Sequence, residues 1–267
     1  MKKTFLMLFA GALLAGFTFT ACEKDNGNNG GNGGAIVDDD DDEGGEVSLH
    51  PSLQGSDYYV LFMDDDSYAS IEDKVVADFR PAVDAEGNTI VNIDVWSGTY
   101  TAGTNSNVGF YGAATGWVSF VVGNAGWSGG AWDLYNGVVD VPNVDKVTAI
   151  ADDLESYYLH FAYKTTQEGK SHLMYMTWPS ADTAGKSHAF GDPSVPYNDN
   201  GTQYTPVLPV SGEFVVGEWN EYEIPLADMG LDFSQEPLKA AINLFAFLSG
   251  GVAGTTLDLD AVFIYRK

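Results

Sequence analysis

The sequence predicts an all-β protein, a β-sandwich of short strands carrying one or two short helices. Three observations point there. From Tyr58 onward, apolar and polar residues alternate at period two, the spacing of a strand with one buried face. The alternating runs are short and bounded by Gly, Pro, Asn or Asp, which supply the turn geometries a strand cannot. Long stretches at helical spacing are absent, so no βαβ rhythm and no parallel-sheet architecture is indicated. The run Ile90 to Trp96 shows the pattern most clearly: Val91, Ile93 and Val95 share one face, and Asn92, Asp94 and Trp96 share the other. Further runs are 117–122, 157–164, 173–178, 219–224, 242–248 and 256–265. Residues 165–170 read as a hairpin loop joining the strands before and after them, and short helices are expected near 226–229 and 236–241. No period of 20 to 50 residues recurs, and no Pro/Ser-rich break divides the body, so residues 51–267 are expected to form one domain.

The chain has 267 residues, with 12 Lys+Arg against 38 Asp+Glu and a formal charge of −26. Residues 51–267 alone hold nine basic and 29 acidic residues, a net charge of −20. Such a field repels phosphate and excludes nucleic acid as a partner, because duplex binding depends on basic residues displacing counterions. Cys22 is the single cysteine, which leaves no intramolecular disulfide and no Cys-based zinc site. Residues 1–21 read as a signal peptide: Lys2 and Lys3 precede an apolar stretch, Phe5 to Phe17, too short for a typical membrane span. Phe19-Thr20-Ala21-Cys22 resembles a bacterial lipobox, with Phe19 where Leu is usual. That resemblance implies acylation of Cys22 and anchoring to the outer membrane through its acyl chains; the alternative is an ordinary secretory signal with an incidental cysteine. Residues 22–50 then form the anchor and a flexible tether, Asn/Gly-rich at 26–34 and acidic at 38–43, with too little apolar surface to offset the entropy of ordering. An acidic stretch behind a lipidated cysteine resembles the surface-export signal of Bacteroidota lipoproteins, and so implies a position facing the cell exterior.

Three segments of the body carry a further resemblance. Gly217-Glu218-Trp219-Asn220-Glu221-Tyr222-Glu223-Ile224-Pro225-Leu226, Tyr157-Tyr158-Leu159-His160-Phe161-Ala162-Tyr163-Lys164 and Leu257-Asp258-Leu259-Asp260-Ala261-Val262-Phe263-Ile264 are similar to strands of galactose-binding-like jelly-roll modules. In the last, Ala261 replaces the second acid of the family pattern. The stretch from Val95 through Trp127-Ser128-Gly129-Gly130 resembles lipoproteins encoded with glycan-uptake systems of gut Bacteroidota. The resemblance implies a carbohydrate-binding jelly roll that captures poly- or oligosaccharide beside neighbouring glycan-transport lipoproteins. It also implies a structural Ca2+ between the first and last strands, for which Asp65, Asp66 and Asp260 are the candidate ligands, with Asp64 adjacent.

A pyranose presents an apolar C–H face and a rim of hydroxyls, so its site needs an aromatic plane beside amides, carboxylates or hydroxyls. Trp96, Tyr100, Tyr111, Trp127, Trp132 and Trp178 are the candidate sugar-contacting residues. Trp127 and Trp132 sit in the loop-like Gly126-Trp127-Ser128-Gly129-Gly130-Ala131-Trp132, and Trp96 projects from the polar face of its strand. Large aromatics also serve as core, and Trp117 and Trp219 read that way. His160 and Lys164, on one face of the 157–164 strand, are secondary candidates, as hydrogen-bond partners for hydroxyls. No nucleophile elbow, zinc helix motif, P-loop or dinucleotide fingerprint occurs. With 38 acids, pairs of carboxylates suited to glycoside hydrolysis have no diagnostic value. Binding without catalysis is therefore the expected function; a jelly-roll glycoside hydrolase or lyase, or a surface adhesion protein, are the alternatives.

Overall fold

The structure is a computed structural model, and it describes residues 48–83, 85, 87, 89–96, 99–101, 108–113, 118–123, 128–134, 144–176, 186–233, 245–248 and 252–267. Cys22, Trp117, Trp127, Trp178 and the helix expected at 236–241 lie outside the described residues, as do the signal peptide and most of the tether. In chain order the elements are β1 (Ser56–Phe62), helix α1 (Asp65–Ala69), β2 (Val75–Asp78), β3 (Ala82–Val83), β4 (Thr89–Val95), β5 (Thr99–Thr101), β6 (Val118–Val122) and β7 (Gly129–Leu134). They continue with β8 (Tyr157–Lys164), β9 (Ser171–Met176), β10 (Lys186–Gly191), β11 (Tyr197–Asp199), β12 (Thr202–Tyr204), β13 (Asn220–Pro225), helix α2 (Leu226–Met229), β14 (Phe245–Leu248) and β15 (Thr256–Arg266). Short 3-10 segments cover Pro51–Leu53, Glu72–Lys74 and Val144–Ser156.

Two sheets hold the domain. One is seven-stranded, in the order β13-β8-β15-β1-β2, with β6 also on β15 and β5 on β6. The other is six-stranded, in the order β10-β9-β14-β7-β4-β3. The chain passes repeatedly from one sheet to the other, at β2–β3, β4–β5, β6–β7, β7–β8, β8–β9, β13–β14 and β14–β15, as in a jelly roll. All-β sandwich architecture is therefore what the sequence predicts and what the structure has. The shared core takes Tyr59, Leu61, Phe161, Tyr163, Leu259 and Ile264 from the seven-stranded sheet, and Val91, Trp132, Met174, Met176, Phe190 and Phe247 from the six-stranded one.

One connection differs from expectation. The loop 165–170 crosses between the sheets: β8 pairs with β13 and β15, whereas β9 pairs with β10 and β14. The apolar sides of β8 and β9 bury toward the same core from opposite layers, which a flat hairpin cannot do. It follows that Met174 and Met176 face inward, and Tyr175, of opposite parity, faces out.

β15 carries a bulge that shapes what lies above it. Leu257 and Leu259 face the core before it, and Val262 and Ile264 after it, so the inward parity shifts by one residue. Ala261 takes the extra position with φ of 53°, a left-handed conformation uncommon for alanine. The shift lets Ala261, Phe263 and Tyr265 join Tyr58, Val60, Leu53, Met63 and Ile71 in a second apolar cluster on the outer side of the seven-stranded sheet.

The segment 144–156 was not foreseen as helical. Its signal is the spacing of Val147, Ile150 and Leu154, of which the first two are buried and the third packs on the core.

Candidate functional site

The six-stranded sheet turns an alternating set of side chains outward. Pairing registers align Ser187, Tyr175, Ala246, Ala131 and Asp94 as one row across five strands. Asn92 stands opposite Asp133 in the next row of β4 and β7. Ala131 and Ala246 are shielded, Tyr175, Asn92 and Asp133 are half-buried, and Asp94 is exposed. Tyr175 and Asp94 are three strands apart, a span of about 14 Å across small residues.

Trp96 extends β4 along this face. Its amide donates to the Gly129 carbonyl at 3.1 Å, and its own carbonyl accepts from the Thr99 amide at 2.9 Å. The Gly129 amide donates to Thr99 Oγ1 at 2.6 Å, closing the turn. Gly129 has φ of 152°. A Cβ there would sit 1.9 Å from the Phe247 carbonyl oxygen and 3.2 Å from Cε3 of Trp96. The indole therefore lies directly against bare backbone, half-buried, with Asn92 and Asp94 on the same side of β4. An aromatic surface held in place beside an amide and a carboxylate matches the needs of a sugar ring.

The sequence-predicted aromatics do not gather on this face. Trp132 is on the inner side of β7 and fully buried, its ring 5.8 Å from Phe62 and 6.3 Å from Phe247. Its expected role in sugar contact is corrected: Ala131 takes the outward parity, so Trp132 packs inside. Tyr100 lies in β5, in the other sheet; its side chain, like Trp127 and Trp178, is outside what the structure describes. Tyr175, not among those candidates, is the aromatic that the outer face of β9 presents.

Tyr111 belongs to the opposite side of the sandwich, over the second apolar cluster. There the chain segments 48–53 and 108–113 cover the outer face of the seven-stranded sheet. The Phe110 amide donates to Asp260 Oδ2 at 2.7 Å, Tyr111 Oη and Ser52 Oγ lie 2.8 Å apart, and Trp219 Nε1 donates to the Val108 carbonyl at 3.0 Å. Trp219 is thus a half-buried strut for this loop. His160 is fully buried beneath it and unavailable to sugar. Its Nδ1–H donates to the Ala261 carbonyl at 2.7 Å, its Nε2 is 3.0 Å from Glu221 Oε1, and its ring stacks on Phe263 at 4.4 Å. Burial pushes the Glu221 carboxyl up, but the His160 hydrogen bond together with the nearby charges of His160, His50 and Lys267 more than offsets this and holds it below its ordinary value.

The expected calcium ligands are also separated. Asp65 and Asp66 are exposed, and Asp65 pairs with Arg80 at 3.0 Å. Asp64 instead turns inward: Oδ1 caps α1 by accepting from the Ser67 amide at 2.8 Å, and Oδ2 is buried without a hydrogen-bond partner among the described residues. Asp260 is fully buried, and burial pushes its carboxyl up to about 7 against the bonds from the Phe110 and Ala261 amides, with Asp64 adding repulsion. No group of three or more His, Cys, Asp or Glu side chains suited to a metal occurs among the described residues. Asp65 and Asp66 are turned to solvent, whereas Asp64 keeps a buried oxygen without a hydrogen-bond partner and lies close enough to repel the Asp260 carboxylate.

No protein-family model and no curated protein matches this chain. Among solved structures it is similar to a family 30 carbohydrate-binding module, at 14% identity over 66% of this chain and 91% of that one, with a TM-score of 0.36. It is also similar to a family 11 carbohydrate-binding module of a cellulosomal cellulase of Clostridium thermocellum, at 11% identity over 70% and 94%, TM-score 0.34. A third likeness is to a protein from a complex xyloglucan utilization locus in Bacteroides uniformis, at 12% identity over 65% and 47%, TM-score 0.31. At these scores the likenesses assign no residue a role.

Proposed function

We propose that this protein is a non-catalytic glycan-binding lipoprotein, held at the outer membrane by acyl chains on Cys22 and capturing poly- or oligosaccharide for neighbouring uptake machinery. The observation that carries the reading is the turn at Trp96, which fixes an indole against Gly129 beside Asn92 and Asp94 on an outward sheet face. A glycan chain laid across β4, β7, β14 and β9 would stack one ring on Trp96 and reach Tyr175 further along. Affinity in such an open site is expected in the range of about mM to μM. The lipobox resemblance of residues 19–22 and the acidic tether support surface anchoring. A lipid-labelling experiment tests it: fatty-acid incorporation should be lost in Cys22→Ala.

The reading is tested by electrophoresis of the protein through gels containing single polysaccharides, with product analysis of each incubation. Retardation without release of shorter sugars is the expected result; released oligosaccharide would turn the assignment to a hydrolase or lyase. A structural Ca2+ would be held by Asp64 and Asp260 together with backbone carbonyls, since calcium requires six to eight oxygens. In that case EDTA lowers the melting temperature of the wild type and leaves that of Asp64→Ala unchanged.

A further inference from the structure

The cover over the seven-stranded sheet leaves an open cavity of about 450 Å3 at its surface, lined among others by His50, Leu53, Asp66, Ser70, Phe110 and Tyr111. We propose that this cavity is a second sugar site, which takes a single terminal sugar residue, on the side of the sandwich away from Trp96. The inference rests on the glycan-binding reading and deepens it: one site for the interior of a chain, another for an end or branch.

The lining has the composition a pyranose needs. The three rings are mutually tilted: His50 and Phe110 at 5.1 Å and 70°, His50 and Tyr111 at 5.5 Å and 63°, Phe110 and Tyr111 at 4.8 Å and 59°. Rings so inclined present the cavity with aromatic surface in more than one orientation, whereas Trp96 offers a single plane. Such a lining fits a ring approached from one end, and the volume lies within the range of small-molecule pockets, about 300–1,000 Å3. The polar groups are on the α1 side. Asp66 carries an exposed carboxylate that accepts hydroxyl hydrogens. Ser70 Oγ donates to the Ser67 carbonyl at 2.6 Å, which leaves its lone pairs to accept.

The lining is also built in advance. The Ser52 amide donates to His50 Nδ1 at 3.3 Å, and Ser52 Oγ lies 2.8 Å from both that nitrogen and Tyr111 Oη. The Gly109 amide donates to the Ala113 carbonyl at 2.7 Å, and Asp260 holds the Phe110 amide. Little ordering remains to be done on binding, which favours affinity for a small ligand. The contrast with a larger cavity, of about 890 Å3, beside Val76, Lys146 and Arg266 is informative. Its aromatic residues, Tyr59 and Tyr157, are 1% and 4% exposed, and Arg266 is engaged by Asp57 and Asp153, so it offers no open ring to stack on.

The test is titration calorimetry of the full-length protein with methyl glycosides of β-D-glucose, β-D-galactose and β-D-xylose and with N-acetylglucosamine, alongside polymers of the same units. One monosaccharide should bind at 1:1 stoichiometry, with affinity unchanged in Trp96→Ala and weakened at least tenfold in Asp66→Ala, a substitution at an exposed residue. Polymer binding should respond in the opposite way. Polymer binding through Trp96 with no monosaccharide binding would overturn the second site alone. Monosaccharide binding that Trp96→Ala abolishes, or that Asp66→Ala leaves intact, would overturn it as well. Absence of binding to any sugar or polymer would overturn the glycan reading itself.

Discussion

The two outer faces of the sandwich are finished by opposite means. On the six-stranded sheet, strand alternation turns Asn92, Asp94, Asp133 and Tyr175 outward around Ala131 and Ala246, and Trp96 rests on a glycine. On the seven-stranded sheet, β1 and β15 are apolar on both faces, so Tyr58, Val60, Phe263 and Tyr265 need a cover, which residues 48–53, 63–71 and 108–113 provide. A strand buried on both sides reads as a continuous apolar run, and one with a polar side reads as an alternation. On the first face Asp94 is exposed and Trp96, Asn92, Asp133 and Tyr175 are half-buried around the shielded Ala131 and Ala246; on the second, the described cover leaves one cleft. An aromatic residue alone does not distinguish them, because Trp96 and Tyr175 stand on the first and Tyr58, Phe263 and Tyr265 on the second.

The largest expected effect tests the floor of the first face. Gly129→Ala places a Cβ 1.9 Å from the Phe247 carbonyl oxygen at a φ of 152°. It should cost on the order of 5 kcal/mol, or prevent folding, as read by chemical denaturation. The two tryptophans of this sheet then separate core from site. Trp132→Ala should cost about 3–5 kcal/mol by cavity formation. Trp96→Ala should change stability by less than about 1 kcal/mol while removing glycan binding. Equal destabilisation by both would mean that Trp96 is a packing residue and the first face has no platform.

A smaller effect concerns pH and the closed interior. His172 is fully buried, and burial, reinforced by Lys170, pushes its pKa down to about 3. The unfolded chain therefore takes up this proton more readily, so the His172 contribution is complete above pH 6.5 and declines between 6.5 and 3, by about 1.4 kcal/mol per pH unit. His50, lowered chiefly by burial, acts in the same direction. Asp260 acts in the opposite one: its raised pKa, about 7, makes the folded state the better proton binder between 3.8 and 7. In EDTA, the slope of stability against pH over that acid range should shift by about 1.4 kcal/mol per unit in His172→Leu, whatever the constant offset. An unchanged slope would show that His172 is solvated. The smallest effect is selectivity by charge. With −20 on residues 51–267 and Asp94 on the first face, a sulfated polymer should be retarded less than its unsulfated parent, and the gap should narrow as salt rises.

Much of this fold was legible in the alternation. The runs at 90–96, 157–164 and 256–265 are strands with nearly those limits, and α2 lies where a helix was expected. The polar face of Asn92, Asp94 and Trp96 was legible for the same reason, since parity within one strand needs no partner. What a single strand cannot encode is which sheet it joins. The 165–170 loop reads as a hairpin because both its flanks are strands, and nothing local shows that the two join different sheets. Trp132 was misplaced because the glycines before it read as loop, although Gly129 and Gly130 are strand residues, made glycine by the close approach of Phe247 and Phe120. Among the three adjacent aspartates, composition could not tell the helix cap Asp64 from its exposed neighbours. The bulge at Ala261, which turns Phe263 and Tyr265 to the outer side, depends on pairing across the sheet and has no local sequence signal.

The central claim, that the outward face at Trp96 binds glycan chains, is tested most directly by running wild type and Trp96→Ala side by side through gels containing high-molecular-weight plant, fungal and host polysaccharides. The account predicts that wild type is retarded by one glycan class and that Trp96→Ala migrates freely, with the two melting at the same temperature. Equal retardation of the two proteins, or free migration of wild type in every gel, would contradict it.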